Sequence, residues 1–255
     1  MPFRLIQKPD SCGAVLEADV TRFEEWEPVY ERILSDFGFD RDADERARDL
    51  MATYAEPFDH ARLSAVAGAT VTVVGAAPGL VDEVDRVAES DLVFAASTAA
   101  DVVREAGYRV DLMVTDLDKN PATASALTEA GTPVAAHAHG DNVAAIREWL
   151  PRFDTGHVLA TTQAAPRGPV ENFGGFTDGD RAAFLADAFG AERLRFVGWD
   201  FDDASVTGLK AKKLDWAARL LAWLERRRGE RFDVLDGRRD DLDVRFATGS
   251  SEETE

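Results

Sequence analysis

Two aspartates close a hydrophobic segment in the middle of the chain. Residues 112–115 (LMVT) read as a buried strand, and Asp116 and Asp118 follow it directly. In a continued extended conformation their carboxyl groups would lie on one face, about 6–7 Å apart. Like charges this close raise the pKa of one group unless a cation lies between them. The pair therefore indicates either a divalent-metal site or a strand-to-helix turn with an aspartate as helix cap.

A second polar cluster, HAHGDN, spans residues 137–142. His137 and His139 would face the same side of a strand. A zinc site would need a third protein ligand at a familiar spacing, which is missing. Carboxylates favour magnesium, which prefers one or two acids together with phosphate oxygens and water. Asp141 could instead cap the following helix, but the joint occurrence of this cluster with the aspartate pair favours a functional site.

A glycine turn, VTVVGAAPGL, follows the first predicted strand. Such a turn can offer backbone N–H groups to a phosphate at a helix N-terminus. A dinucleotide site would place an acid at the end of the next strand, where residues 94–97 read Phe-Ala-Ala-Ser, so NAD is disfavoured. The chain also lacks the GxxxxGK[ST] pattern of a Walker-type phosphate loop.

Two further stretches carry unusual residues. In NFGGFTDGDRA, glycines allow close backbone approach to a flat ligand on which Phe176 could stack, whereas Asp178 could also be a helix N-cap. Lys210, Lys212 and Lys213 are three of only five lysines in the chain. Their clustering at the start of one helix indicates either phosphate binding or a solvated helix face.

The residues between these motifs predict the elements that position them. Continuous apolar strands alternate with helical stretches, which indicates a mostly parallel sheet covered by helices on both faces, a Rossmann-like three-layer α/β fold. Ligands of such sheets bind outside the carboxyl ends of the strands, where the motifs fall. The predicted strands are ATVTVVG, LVFAAS, RVDLMVT, GTPVAAHAH, GHVLATT and RLRFVGWD.

The sequence divides into three predicted regions. Residues 1–66 form a small N-terminal helical region with an aromatic stripe, residues 67–230 form the α/β catalytic domain, and residues 231–255 form an acidic, partly disordered tail. The 255 residues suffice for one large domain with a small appendage.

The charge balance is strongly acidic, with 48 acids against 29 bases and a net charge of −19. The acids are scattered, lysine is scarce and arginine is retained, as in proteins of salt-loving archaea; adaptation to a basic partner is the alternative. A nucleic-acid partner is not expected, because its phosphates would be repelled. No membrane span, no secretory signal and a single cysteine indicate a cytoplasmic protein, which could form a homo-oligomer.

The motifs together resemble a known family. GAAPGL, TDLD, HAHGDN, TTQ…NFGGFTDGDRA, GWDF and K..KL..A..LL, in this order, resemble the archaeal 6-hydroxymethyl-7,8-dihydropterin diphosphokinases of the MptE type, whose core is similar to thiamine diphosphokinase. The resemblance covers roughly residues 71–224, and HAHGDN and GFTDGDRA are its most specific parts. Related sequences tend to end the second strand in Ala-Asp-Gly, whereas this chain has Ala96-Ser97-Thr98.

The resemblance implies Mg²⁺-dependent transfer of diphosphate from ATP to the hydroxymethyl group of the reduced pterin, with release of AMP. Carboxylates that hold Mg²⁺ on the phosphates suit that chemistry. The implied metal-binding and catalytic residues are Asp116, Asp118 and Asp141. The implied ATP-binding residues are Gly75, Pro78, Gly79, Ser97, Thr98, Lys210 and Lys213. The implied pterin-binding residues are Asn142, Gln163, Phe176, Thr177 and Asp178.

Two alternatives from other classes stay open at this point. The same sheet could carry a nucleotide- or phosphometabolite-binding sensor, or a methyltransferase-like enzyme that binds S-adenosylmethionine at GAAPG. The missing acid after the second strand counts against the methyltransferase. The surplus of acids at the strand ends counts against a passive sensor, because a bare anionic pocket repels phosphate unless a metal fills it.

Overall fold

The computed structural model describes residues 23–206 and 208–247. Its centre is one parallel sheet of six strands in the order β5-β4-β3-β2-β1-β6. All six strands predicted from the sequence are present. They are β1 (Thr70–Val74), β2 (Leu92–Ala96), β3 (Leu112–Thr115), β4 (Val134–Ala138), β5 (Val158–Thr162) and β6 (Arg193–Val197).

Eight α-helices surround the sheet within the described residues. They are α1 (Phe23–Phe37), α2 (Arg41–Met51), α3 (Leu80–Glu83), α4 (Ala99–Glu105), α5 (Pro121–Glu129), α6 (Val143–Trp149), α7 (Asp178–Ala188) and α8 (Gly208–Arg228). The helix predicted after β1 is shorter than expected, because α3 passes into a 3₁₀ helix at Val84–Glu89. Its valines are β-branched and favour helix only weakly.

Both faces of the sheet are covered, as the continuous apolar strands predict. Side chains alternate between two cores, so Leu92 and Phe94 of β2 enter one core and Val93 and Ala95 enter the other. Helix α7 lies directly on β1, β2 and β3, with α8 packed against it, while α4 and α5 lie over the other face. The predicted three-layer α/β fold is confirmed.

The first two helices straddle the β5 edge of the sheet. Helix α1 contributes Trp26, Tyr30 and Ile33 to the core that contains α7. Helix α2 contributes Ala47 and Met51 to the core on the other face, where it contacts β4, β5 and α6. The pair therefore reaches the carboxyl ends of β4 and β5.

The segment after α8 also packs against the main core. Phe232, Leu235 and Val244 are buried there, and Phe246 packs against Trp216 of α8. The predicted boundaries at 66/67 and 230/231 stay predictions, and residues 248–255 lie outside the described part of the chain. Within the described residues, none of the helices is long and apolar enough to cross a membrane.

Candidate active site

The aspartate pair lies at the carboxyl end of β3, but the extended conformation does not continue through it. Strand β3 ends at Thr115, and Leu117 adopts a left-handed conformation with φ of 66°. The Thr115 hydroxyl accepts a hydrogen bond from Leu117 N at 3.0 Å, and the Leu117 side chain is buried. In this turn Asp118 N donates to Asp116 Oδ1 at 3.4 Å, and the two carboxyl groups are close enough to interact rather than a strand repeat apart.

Burial and mutual repulsion shift the two carboxyl groups in opposite directions. Burial, reinforced by the contact with Asp116 and by its charge, raises the pKa of Asp118 to about 6. Burial also acts to raise the pKa of Asp116, but hydrogen bonds with His139 and Asp118 outweigh it and the pKa is lowered. His139 Nε2 lies 3.5 Å from Asp116 Oδ2. Asp116 is therefore the more acidic member of the pair, and the pair retains one proton only below about pH 6.

The HAHGDN segment forms a turn at the carboxyl end of β4, next to the pair. The Asn142 side-chain amide donates to the backbone oxygens of Asp116 at 2.7 Å and His137 at 2.6 Å. Asn142 Oδ1 accepts from His139 N at 3.0 Å. Its amide thus joins the ends of β3 and β4. Its predicted contact with a pterin stays a prediction.

The predicted metal ligands are not preassembled as a set of three. Asp116 and Asp118 are in contact, whereas Asp141 is exposed on the HAHGDN turn. Across residues 23–206 and 208–247, no group of three or more His, Cys, Asp or Glu side chains converges for a metal ion. Two adjoining carboxylates nevertheless suit Mg²⁺, which takes its remaining ligands from substrate phosphates and water.

A buried ion pair begins α7 beside the same strand ends. Arg181 Nη1 lies 3.0 Å from Asp178 Oδ1, and both side chains are over nine-tenths buried. Burial and the negative charge of Asp116 raise the pKa of Asp178 to about 7, despite the opposing charge of Arg181. Gln163, buried at the end of β5, accepts a longer bond of 3.4 Å from Arg181 Nη2. The structure therefore brings Asp178 and Gln163 together through Arg181.

Thr177 and Asp180 cap the same helix. The Thr177 hydroxyl donates to Asp180 Oδ2 at 2.6 Å, and Asp180 also accepts from the backbone N–H groups of Phe176 and Thr177. This reciprocal pair satisfies N–H groups that a helix start leaves without intrahelical partners. The cap is thus made by Thr177, and the alternative of Asp178 as N-cap is wrong.

Phe176 packs within an aromatic cluster supplied by the N-terminal helices. Its ring centroid lies 5.0 Å from that of Phe37 and 6.5 Å from that of Phe39. The ammonium groups of Lys213 and Lys212 lie over the rings of Phe176 and Phe37, at 5.7 and 4.7 Å. Two of the three clustered lysines thus face aromatic rings, and the third, Lys210, is exposed.

The residues at the end of β6 pack closely against the glycine turn that follows β1. A Cβ at Gly75 would lie 2.6 Å from the backbone oxygen of Gly198, and a Cβ at Gly179 would lie 2.6 Å from the ring of Trp199. The Trp199 indole donates to Val73 O at 3.0 Å. Close packing therefore accounts for both glycines. Pro78 and Gly79 are exposed at the start of the short helix α3, whose first turn carries two acids.

Ser97 follows β2 in a left-handed conformation, with φ of 48°. Its side chain is buried, and its hydroxyl has no hydrogen-bond partner among the described residues. Thr98 follows as the N-cap position of α4. Ser97 O accepts from the Asn120 amide at 3.2 Å, which ties the ends of β2 and β3 together.

Arg181 is a functional candidate that the sequence did not single out, and His137 and His139 were considered there only as zinc ligands. His139 contacts Asp116, Arg181 pairs with Asp178, and His137 is buried. Burial, followed by the positive charge of Arg181, lowers the pKa of His137 well below its ordinary value, so this imidazole is neutral. All three stand inside HAHGDN and GFTDGDRA, so the signal was present in the motifs.

A separate cavity of about 260 Å³ opens at the opposite edge of the sheet. It lies at the amino ends of β2, β3 and β4, with Phe94 in its wall and Arg62 and Arg109 among its lining residues. None of the predicted site residues lines it. The titratable groups with shifted pKa values described above converge on the carboxyl edge instead, in agreement with the usual ligand-binding edge of such sheets.

Comparison with known proteins connects this arrangement to a family. The family described as "6-hydroxymethylpterin diphosphokinase MptE-like" matches residues 47–205. A protein of Methanothermobacter thermautotrophicus named 6-hydroxymethyl-7,8-dihydropterin pyrophosphokinase is 38% identical over 220 residues, covering 79% of this chain and 94% of the relative.

Two further relatives carry the same name. That of Pyrococcus furiosus is 36% identical over 223 residues, covering 80% of this chain and 94% of the relative. That of Methanocaldococcus jannaschii is 29% identical over 232 residues, covering 79% of this chain and 95% of the relative. The resemblance found in the motifs is confirmed: this chain belongs to the MptE-like 6-hydroxymethylpterin diphosphokinase family of enzymes.

Proposed function

We propose that this protein transfers the terminal diphosphate of ATP to the hydroxymethyl group of 6-hydroxymethyl-7,8-dihydropterin, in a reaction that needs Mg²⁺. The observation that supports the proposal most directly is the contact between Asp116 and Asp118 at the carboxyl end of β3. Two adjoining carboxylates repel each other, and a bound Mg²⁺ ion would add positive charge to that of Lys119, whose Nζ lies 3.7 Å from Asp118 Oδ2.

Asp116 and Asp118 are the residues that would hold the metal, and Asp141 on the neighbouring turn is the third proposed ligand. The bound ion would neutralise the charge on the transferred phosphoryl groups. Asp116 is already ionised, because hydrogen bonds with His139 and Asp118 lower its pKa. His139 also orients the Asp116 carboxylate, with Nε2 at 3.5 Å from Oδ2. The protein thus keeps one carboxylate charged and aimed before substrate arrives.

The pterin would bind against the start of α7. Asp178 is the buried carboxyl group that suits the N–H groups along the edge of a pterin. Arg181 fixes one of its oxygens at 3.0 Å, which leaves the other oxygen as a directed acceptor. The ammonium group of Lys213, 5.7 Å from the Phe176 ring centroid, supplies positive charge on the same side. In this proposal the pterin and the ATP phosphates take separate positions.

In the proposed reaction the hydroxymethyl oxygen of the pterin attacks the β-phosphorus of ATP. The bond between the β-phosphorus and the oxygen that bridges it to the α-phosphorus breaks, and AMP leaves with that oxygen. The hydroxyl proton is released as the new bond forms. Catalysis of this kind depends on positioning and charge neutralisation, and the fixed carboxylates would contribute to both by holding Mg²⁺.

The products distinguish this reaction from simpler phosphoryl transfer. With ATP, Mg²⁺ and the reduced pterin, we expect AMP and pterin diphosphate to form in equal amounts, and no ADP. Chromatography of the reaction, with a matched sample containing EDTA, measures both products and the metal requirement. ADP in place of AMP would contradict diphosphate transfer, and full activity in EDTA would contradict the magnesium requirement.

A further inference from the structure

Asp44 of α2 is a buried carboxylate on an element distant in sequence from the aspartate pair. Asp44 is 3% exposed, and its carboxylate accepts three hydrogen bonds of 2.7 Å. Oδ2 accepts from the Tyr30 hydroxyl and the Gln163 amide, and Oδ1 accepts from Gly140 N. A buried carboxylate is costly unless its oxygens are satisfied, and here three donors satisfy them.

Two of these three donors belong to the carboxyl edge of the sheet. Gly140 directly follows His139, which contacts Asp116. Gln163 ends β5, and its Oε1 accepts from Arg181, the partner of Asp178. Asp44 is therefore bonded to the turn that carries one half of the site and to the side chain that supports the other half.

Helix α2 also lies directly against the turn. A Cβ at Gly140 would lie 2.7 Å from Ala43 Cβ, so the glycine is required for the helix backbone to approach this closely. The third donor, Tyr30, belongs to α1, and its hydroxyl donates to Asp44 Oδ2. Burial and the charge of Asp44 raise the pKa of the Tyr30 hydroxyl, so it stays protonated and donates.

We propose that Asp44 is a positioning residue for diphosphate transfer, which fixes the His139–Gly140 turn and, through Gln163, the arginine that pairs with Asp178. The inference rests on the proposed function. It assigns a role in the site to an element that begins before the family match at residue 47. The α1–α2 pair is then a wall of the active site rather than an appendage.

The experiment compares Asp44→Asn with Tyr30→Phe. Each removes hydrogen-bonding capacity from the same buried cluster, but only Asp44→Asn disturbs Gly140 and Gln163. We expect Asp44→Asn to lower kcat by about 10–100-fold, the scale of a misplacement of about 1 Å, with a smaller change in KM. Tyr30→Phe should lower the melting temperature while kcat stays at the wild-type value.

Amide hydrogen exchange in the peptide that spans residues 136–145 gives a readout that is independent of activity. Exchange there should speed up in Asp44→Asn and not in Tyr30→Phe. Should Asp44→Asn fail to fold, Ala43→Val replaces it, because the larger side chain pushes α2 away from Gly140 without removing a buried charge. That variant should show the same faster exchange and a lower kcat.

Wild-type kcat and exchange in Asp44→Asn or Ala43→Val would overturn the inference. So would an equal loss of kcat in Tyr30→Phe, since the cluster would then act only through stability. A wild-type protein that forms no pterin diphosphate would refute the proposed function instead, and the exchange comparison would still decide whether Asp44 holds the turn.

Discussion

Acids at the carboxyl edge of the sheet and acids around Arg239 both approach other side chains closely, yet the pKa values of Asp118 and Asp178 are raised whereas those of Glu225 and Asp236 are lowered. Arg239 Nε lies 2.6 Å from Glu225 Oε1, and its Nη1 lies 2.9 Å from Asp236 Oδ1. Burial alone would raise the pKa of Glu225, but hydrogen bonds from Arg239 outweigh it and the pKa is lowered. The same arginine lowers the pKa of Asp236.

At the carboxyl edge, the nearby positive charge does not offset burial and the repulsion between carboxylates. Asp118 faces another carboxylate, and Arg181 does not offset the burial of Asp178 and the charge of Asp116. Acids that hold the fold together are thus neutralised within the protein, whereas the acids of the site are left with less positive charge than they need. We infer that the metal and substrates of the proposed reaction bind where this positive charge is missing.

The largest expected effect comes from removing one charge of the pair. We expect Asp116→Asn to lower kcat by about 10²–10³-fold, because a fixed carboxylate that would hold Mg²⁺ on the reacting phosphates is lost. Without metal, its melting temperature should equal or exceed that of the wild type, because like-charge repulsion is relieved. Steady-state kinetics and circular-dichroism melts measure the two quantities.

The matched control for that variant is Asp82→Asn, which removes the same charge from an exposed position on α3. It should retain wild-type kcat. Near-wild-type turnover of Asp116→Asn at saturating Mg²⁺ would contradict the role of Asp116, and an equal loss in Asp82→Asn would show that net charge, not position, matters.

The pH dependence of stability should separate the two groups of acids. Asp118 and Asp178 have raised pKa values of about 6 and 7, so the folded protein keeps protons that the unfolded chain has released. Their contribution to stability therefore decreases as pH rises from about 4 to 7. The lowered pKa values of Glu225 and Asp236 have the opposite sign, and that stabilisation is lost as pH falls below about 4.

Urea unfolding of metal-free protein at pH 5, 6 and 7 tests this assignment. His137, whose pKa is lowered, adds a slope of opposite sign, so the readout is the difference between wild type and Asp116→Asn. The variant lacks the charge that raises both pKa values, and its stability should fall less, or rise more, over this range. Parallel curves for the two proteins would contradict the coupling.

The smallest expected effect concerns the remaining surface acids. With a net charge of −19, folding at low ionic strength works against repulsion that molar salt screens to a length of roughly 3 Å. We expect the melting temperature to rise steadily from dilute buffer to about 1 M KCl, equally in wild type and Asp116→Asn. A flat or falling melting temperature would favour a basic partner over adaptation to salt.

The fold was predictable because β1 to β5 are mostly apolar and buried on both faces, although β6 carries Arg193 and Arg195 and is partly exposed. The local shape of the site was not predictable. Nothing in TDLD indicates that Leu117 would take a left-handed conformation, which is uncommon for a non-glycine residue and is held here by its buried side chain and by Thr115. That turn decides whether the two carboxyl groups touch.

Contacts between segments that are distant in sequence could not be predicted either. Asp44 stands in DADERARD, a stretch that reads as a solvated helix. Only the helical spacing indicates that Asp44 is buried. It precedes the buried residues Ala47, Arg48 and Met51 by three, four and seven positions, which places it on the inward face of α2. Which side chains would satisfy that acid depends on the packing of α2 against β4 and β5, which no local pattern specifies.

The strand order has a consequence for how the chain is made. Strands β1 to β4 each pair with the next strand in sequence, and only β6 returns past the others to pair with β1. During synthesis, β1 would remain an open sheet edge until residues 193–197 emerge from the ribosome. An unpaired edge that carries Val71 and Val73 is a template for pairing with other chains. Chains truncated before β6 should therefore aggregate, although every motif of the site except GWDF and the lysine cluster would already have been synthesised.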